Sequence, residues 1–160
     1  GYSRCGIQGV RRMRKKITLF LLDKKAFPQF RHWALLILRI VAGYFLFMNH
    51  GFDKISAGPE KWMKLGALGL GGLGISFGHL FFGFMAAFSE GVCTVFVAFG
   101  FLTRFASFLL IMTMGVAGIF HLGRGESPES AFLYLVIYLA LFLAGSGAYS
   151  IDRFLWNSRK

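Results

Sequence analysis

Glu90 is the residue with the most chemistry to offer. It stands eleven positions after His79 inside an otherwise apolar segment, so in a bilayer it lies near the midplane. A carboxylate there costs about 3 kcal/mol on insertion scales, which forces it to face other helices, either protonated or paired. Arg39 is the partner within reach by this count. At about 1.5 Å per residue, Arg39 falls about 8 Å and Glu90 about 15 Å from the same membrane face, an offset that a long guanidinium side chain spans. This leaves two readings. In one, Glu90 carries a proton or binds a ligand; in the other, Arg39 and Glu90 are a structural pair that locks two helices in register.

A second group of polar residues gathers at segment ends. Asn49, His50, Asp53 and Lys54 close the first apolar segment, His79 opens the second and His121 ends the third. Three imidazoles on one side of a membrane have the chemistry to relay protons, ligate a metal or hydrogen-bond a quinone carbonyl. Segment ends are also where polar side chains belong on solvation grounds alone. No spacing here defines a metal site, and none is assigned. Cys5 and Cys93 form no CxxC pattern and occupy different settings, a basic tail and an apolar segment. Gly69, Gly71 and Gly74 spell G-x-G-x-x-G, but that fingerprint works only between a strand and an amphipathic helix, and here it leads into an apolar span. Glycines at this spacing serve close helix contact or a bent backbone instead. No nucleophile with an attached base and no phosphate loop is present. Met48, Met85, Met112 and Met114 read as packing groups.

The elements that position these residues are membrane spans. Of 160 residues, 56% are hydrophobic and 16% charged, more apolar surface than a soluble domain of this length can bury. Four segments approach the ~20 apolar residues needed to cross a bilayer, at about 33–50, 79–101, 104–121 and 130–147. Each is apolar all round, as lipid contact on one side and helix contact on the other require. The expected fold is therefore an all-α membrane protein, a four-transmembrane-helix bundle at 33–155. Residues 65–78, with six glycines, are predicted to form a re-entrant or interfacial first outer loop. Residues 17–30 mix Phe, Leu and Lys around Pro28, the pattern of an interfacial helix with a break. The division expected is a basic tail and interfacial helix at 1–32, the bundle, and a short C-terminal tail at 156–160.

Loop charges set the orientation. Nine of the 18 basic residues lie at or before Arg31, Arg104 marks the second turn, and Arg153, Arg159 and Lys160 mark the C-terminus. The first loop balances Lys54, Lys61 and Lys64 against Asp53 and Glu60, and the third sets Arg124 against Glu126 and Glu129. This alternation predicts both termini in the cytoplasm. The basic tail with Arg11, Arg12, Arg14, Lys15 and Lys16 then faces anionic lipid rather than nucleic acid. A secretory signal is not expected: the apolar run 17–22 is too short, and no small-residue cleavage site comes after it.

Taken in order, the segments resemble the DoxX family of prokaryotic membrane proteins over about 34–155. The resemblance rests on Leu38-Arg39, Asn49-His50-Gly51-Phe52-Asp53-Lys54, Trp62 with Leu65-Gly66, and Ala86-Ala87-Phe88-Ser89-Glu90-Gly91. Phe99-Gly100-Phe101-Leu102-Thr103-Arg104, His121 and Gly145-Ser146-Gly147-Ala148-Tyr149-Ser150-Ile151-Asp152 complete it. Two departures stand out: Val92 and Cys93 come after Gly91 where family members commonly place a second glycine, and the basic tail lies outside the shared region. The resemblance implies a four-helix protein of the prokaryotic inner membrane, with Arg39, His50, Lys54 and Glu90 lining its interior. It implies an integral subunit that anchors or supports a membrane-associated redox complex. Two alternatives accompany it: a quinone-linked subunit of the thiosulfate:quinone oxidoreductase type, and a structural scaffold or lipid-packing subunit. The expected partners are lipid and other membrane or membrane-associated subunits, in a homo- or hetero-oligomer; quinone is the one cofactor considered.

Overall fold

The structure, a computed structural model, describes residues 27–71 and 74–158. The basic tail and most of the interfacial segment expected ahead of the first span lie outside these residues. Among the described residues every regular element is helical.

The chain opens with α1 (Phe27–Leu46), a π-helical turn π1 (Phe47–Gly51) and α2 (Phe52–Ile55), which run on as one helical rod. Pro28 was expected to break an interfacial helix. It lies in the first turn described for α1. After a turn at Ser56–Gly58 comes α3 (Pro59–Gly71). The second span comprises α4 (His79–Phe88), a second π-helical turn π2 (Ser89–Cys93) and α5 (Thr94–Phe99). Then come α6 (Thr103–Gly123), α7 (Glu129–Ala144) and the short α8 (Ile151–Asn157).

Among the described residues three helices are long and apolar enough to cross a membrane: Phe30–Ile55, His79–Phe99 and Thr103–Gly123. The fourth apolar helix, α7, has 16 residues and a length of about 24 Å, below the ~30 Å of a typical hydrocarbon core. It lies antiparallel to α6, with Phe132 against Gly118, Leu135 near Gly115 and Phe142 tilted on Phe108. The outward surface carries large apolar side chains such as Ile37, Val41, Phe45, Phe81, Phe105 and Leu133, while Leu46, Val97, Leu110, Tyr138 and Leu141 are sealed inside. An apolar exterior of this kind is stable in lipid and not in water.

The path of the chain between the first two spans differs from the expected loop. Along the second span, Arg39 meets Gly100, Gly43 meets Ala98, Gly51 meets Glu90, Trp62 meets Gly83 and Gly66 meets His79. The numbers fall on one side as they rise on the other, so α1, π1, α2 and α3 all run antiparallel to the second span. Residues 59–71 are therefore a helix that continues in the direction of α1 along the far half of the second span. Glycine makes this possible. A Cβ on Gly66 would collide with the His79 carbonyl, and one on Gly83 with the Trp62 carbonyl, so these two backbones touch directly. Gly74 and Gly78, in left-handed conformation at φ +72°, turn the chain back into α4.

Replacing either contact glycine forces two backbones apart. Gly66→Ala and Gly83→Ala are each expected to cost about 2 kcal/mol or more. Gly71→Ala, with open space around it, should change stability by under about 1 kcal/mol in the favourable direction. Thermal unfolding in mild detergent compares the three; equal effects would refute the packing assignment.

Candidate functional site

Lys54 and Glu90 form an ion pair in the interior. The Lys54 ammonium stands 2.6 Å from one carboxylate oxygen and 2.7 Å from the other, donating to both. Glu90 is 2% exposed and Lys54 24%. The pairing corrects the expectation of an Arg39–Glu90 contact. Counting residues along straight α-helices placed Arg39 nearest, but the antiparallel register sets Arg39 at Gly100, ten residues from Glu90, and brings the end of the first helical rod to the carboxylate instead.

Both members owe their position to π-helical turns. Glu90 lies in π2, and π1 ends three residues before Lys54. A π-turn adds a residue to the helix and rotates the turns after it, a device common at functional sites. The two turns press together at Gly51, where a Cβ would meet the Glu90 carbonyl, and at Gly91, where one would meet Ile55. Trp62 at the start of α3 donates its indole N–H to the Lys54 carbonyl at 2.7 Å, which ties the turn at Ser56–Gly58 to the pair. Ser89 shares a 2.6 Å hydrogen bond with Thr113 and so fixes π2 to α6.

A cavity of about 60 Å³ opens beside the pair. It is lined by Leu46, His50, Lys54, Glu90, Met114, Ala117, His121, Ser130, Ala131 and Tyr134. The expected residues His50, Lys54, Glu90 and His121 thus converge, from three of the four apolar helices and the loop end of the bundle. Tyr134 and Tyr138 stack in parallel on α7, and the Tyr138 hydroxyl donates to the Ala42 carbonyl at 3.5 Å. Asn49 and Asp53 are exposed and stay outside the group. His79 also stands apart, its Nε2 3.4 Å from the Ile75 carbonyl oxygen. Among the described residues no cluster of three or more His, Cys, Asp or Glu could hold a metal ion. Cys93 is a buried free thiol within the core cluster.

His121 links the cavity to solution. Its Nδ1–H donates to Glu126 at 2.7 Å, and Glu126 also accepts from Arg124 at 3.0 Å. The His121 bond, with the Arg124 charge behind it, holds the Glu126 carboxyl below its ordinary value of 4.5.

Arg39 serves the opposite end. Fully buried, it donates to the Leu35 carbonyl at 3.3 Å and to the Tyr149 carbonyl, while Nη1 lies against Gly100 with no acceptor. Asp152 completes this knot. Its carboxylate accepts from the Leu102 N–H at 2.8 Å, the Thr103 N–H at 3.0 Å and the Thr103 hydroxyl at 2.9 Å. That capping holds Leu102 in a left-handed conformation at φ +46° and starts α6. Sequence reading assigned no site role to Trp62, Thr113, Tyr134 or Asp152. The signals that could have found them are hydroxyls inside apolar segments and an acid close after the last one.

A helical bundle with an apolar exterior, a buried ion pair and polar ends defines an integral membrane protein. The DoxX family profile matches residues 34–123, more than half of the 160, and the chain belongs to the DoxX family. No curated protein and no solved structure matches it. The matched region contains Arg39, His50, Lys54, Trp62, Glu90 and His121; α7 and the Asp152 cap lie beyond it.

Removing one partner of the pair leaves a buried charge without compensation. Lys54→Met is expected to lower stability by about 3 kcal/mol or more, and the double variant with Glu90→Gln to recover most of the loss. Unfolding in mixed micelles measures the cycle; additive losses would show that the two groups do not interact. At the loop end, the lowered Glu126 value means that its contact with His121 stabilises fully above pH 4.5 and is lost as the pH falls through the lower folded value. Amide exchange at residues 124–126 should accelerate over that fall, and an unchanged rate would refute the contact.

Proposed function

We propose that this chain is an integral subunit that anchors or supports a membrane-associated redox complex in the cytoplasmic membrane of a prokaryote. Both termini face the cytoplasm in this reading, as the alternation of Lys and Arg along the sequence favours. The observation that carries it is the contrast between interior and exterior. The cavity beside the ion pair holds about 60 Å³, against the several hundred Å³ that enclose a typical small-molecule ligand. The exterior, by contrast, presents exposed aromatic and aliphatic side chains along every apolar helix, including Tyr44, Phe81, Phe108 and Val136. Such a chain offers lipid and partner helices a broad apolar surface. Copies of the same chain or a different membrane subunit are both suited to that surface.

The quinone-linked reading keeps one observation in its favour. His50, Lys54, Glu90 and His121 converge on one cavity, and these are groups that hydrogen-bond a quinone carbonyl. A quinone would then occupy a pocket completed by a partner, with its head at the loop end.

Purification in mild detergent from a native membrane tests the proposal. A stoichiometric redox protein should accompany the chain and dissociate in harsher detergent. A chain that migrates alone, with turnover of every candidate complex unchanged on its removal, would refute the supporting role.

A further inference from the structure

Glu90 and Lys54 are not sealed from water on all sides. Toward the end of the bundle where Arg39 and Asp152 lie, Cys93, Thr94 and Val97 are fully buried and close the interior. Toward the loop end lies the cavity, whose volume of about 60 Å³ exceeds the ~10–15 Å³ that one water requires. His121 lines that cavity with 37% of its side chain exposed, and its neighbour Glu126, 47% exposed, meets bulk solution. A carboxylate, a small polar cavity and a half-exposed imidazole therefore stand in series.

We propose that Glu90 is a proton-binding site reached from the loop end of the bundle, with Lys54 as its fixed counter-charge and His121 as the group that hands the proton in. The inference stands apart from any redox role of the chain. Glu126 holds His121 Nδ1, which leaves Nε2 for transfer. The Nε2–H bond of the imidazolium breaks as a cavity water takes the proton, and that water gives a proton to a Glu90 oxygen, forming the O–H bond. The imidazole keeps its electron pair and takes the next proton from solution. The Lys54 ammonium retains its three protons, and no electrons change hands. Protonation ends the charge on Glu90 and opens the pair.

The groups that face Glu90 fit this assignment. Lys54 and His50 come from the first span, His121 from α6, and Tyr134 from α7, with Tyr138 stacked behind it. The α3 helix presents the neutral Trp62 indole to the Lys54 backbone, while its Glu60, Lys61 and Lys64 are exposed. Arg39 points to the opposite end, at Tyr149. Lys54 is thus the single permanent charge at the carboxylate among the described residues.

Infrared difference spectroscopy of the full chain in lipid nanodiscs reads the site directly. On a step from neutral to acidic pH, a protonated-carboxyl band should rise, vanish in Glu90→Gln and persist at a displaced frequency in Glu90→Asp. His121→Asn should slow the rise about tenfold or more without changing its final amplitude. Lys54→Met should move the midpoint to higher pH, because the counter-charge that favours the carboxylate is gone. Should Glu90→Gln fail to assemble, the displaced band of Glu90→Asp carries the assignment. Three results would overturn the proposal: a band that survives in Glu90→Gln, no such band at any pH where the protein stays folded, or a wild-type rate in His121→Asn.

Discussion

A carboxylate in an apolar interior must be neutralised where it stands, and in this protein the requirement falls on Glu90. Its partner Lys54 arrives at the end of a long helical rod, and both oxygens are taken by one ammonium at 2.6 and 2.7 Å. Desolvation makes that geometry obligatory, since a buried ion pair is tolerated only when its members satisfy each other closely. The two π-helical turns, the contact glycines at 51 and 91 and the Trp62 bond to Lys54 are the means of holding it.

The opposite end of the bundle solves a different problem with similar parts. Turning sharply from the second span into α6 leaves helix-start N–H groups without partners, and Asp152, carried in by the C-terminal segment, accepts from them. Arg39 fastens the same segment through the Tyr149 carbonyl. One end is thus closed by backbone capping, while the other keeps a small polar cavity beside its charges. The difference in hydration between the ends is what gives the interior a direction.

The break at Ser56–Gly58 has the same physical origin. A continuous helix through Lys54 would carry α3 past the second span, whereas the turn lets it lie along α4 with backbone contacts at Gly66 and Gly83. Helix packing in lipid gains little from apolar burial and depends on such close approach. The glycine-rich stretch thus makes its contacts within a helix, at positions whose side chains would otherwise keep two backbones apart.

Much of this was legible from residue types. Apolar segments too long for a soluble core, a lone carboxylate in mid-segment and charged ends identify a membrane bundle and single out Glu90, because transfer free energies act on each residue wherever it lies. Lys54, His50 and His121 were also recognisable as polar groups at segment ends. Which cation meets Glu90 was not. Counting along ideal helices favoured Arg39, yet one extra residue in each π-turn and the register set by Gly43, Gly51 and Gly83 carry Lys54 to it and leave Arg39 at Tyr149. Residue chemistry alone dictated that a charge is buried and must be paired. Its partner was settled by the tertiary arrangement, because pairing depends on the register between helices far apart in the chain, and that register arises from backbone contacts that no local pattern encodes.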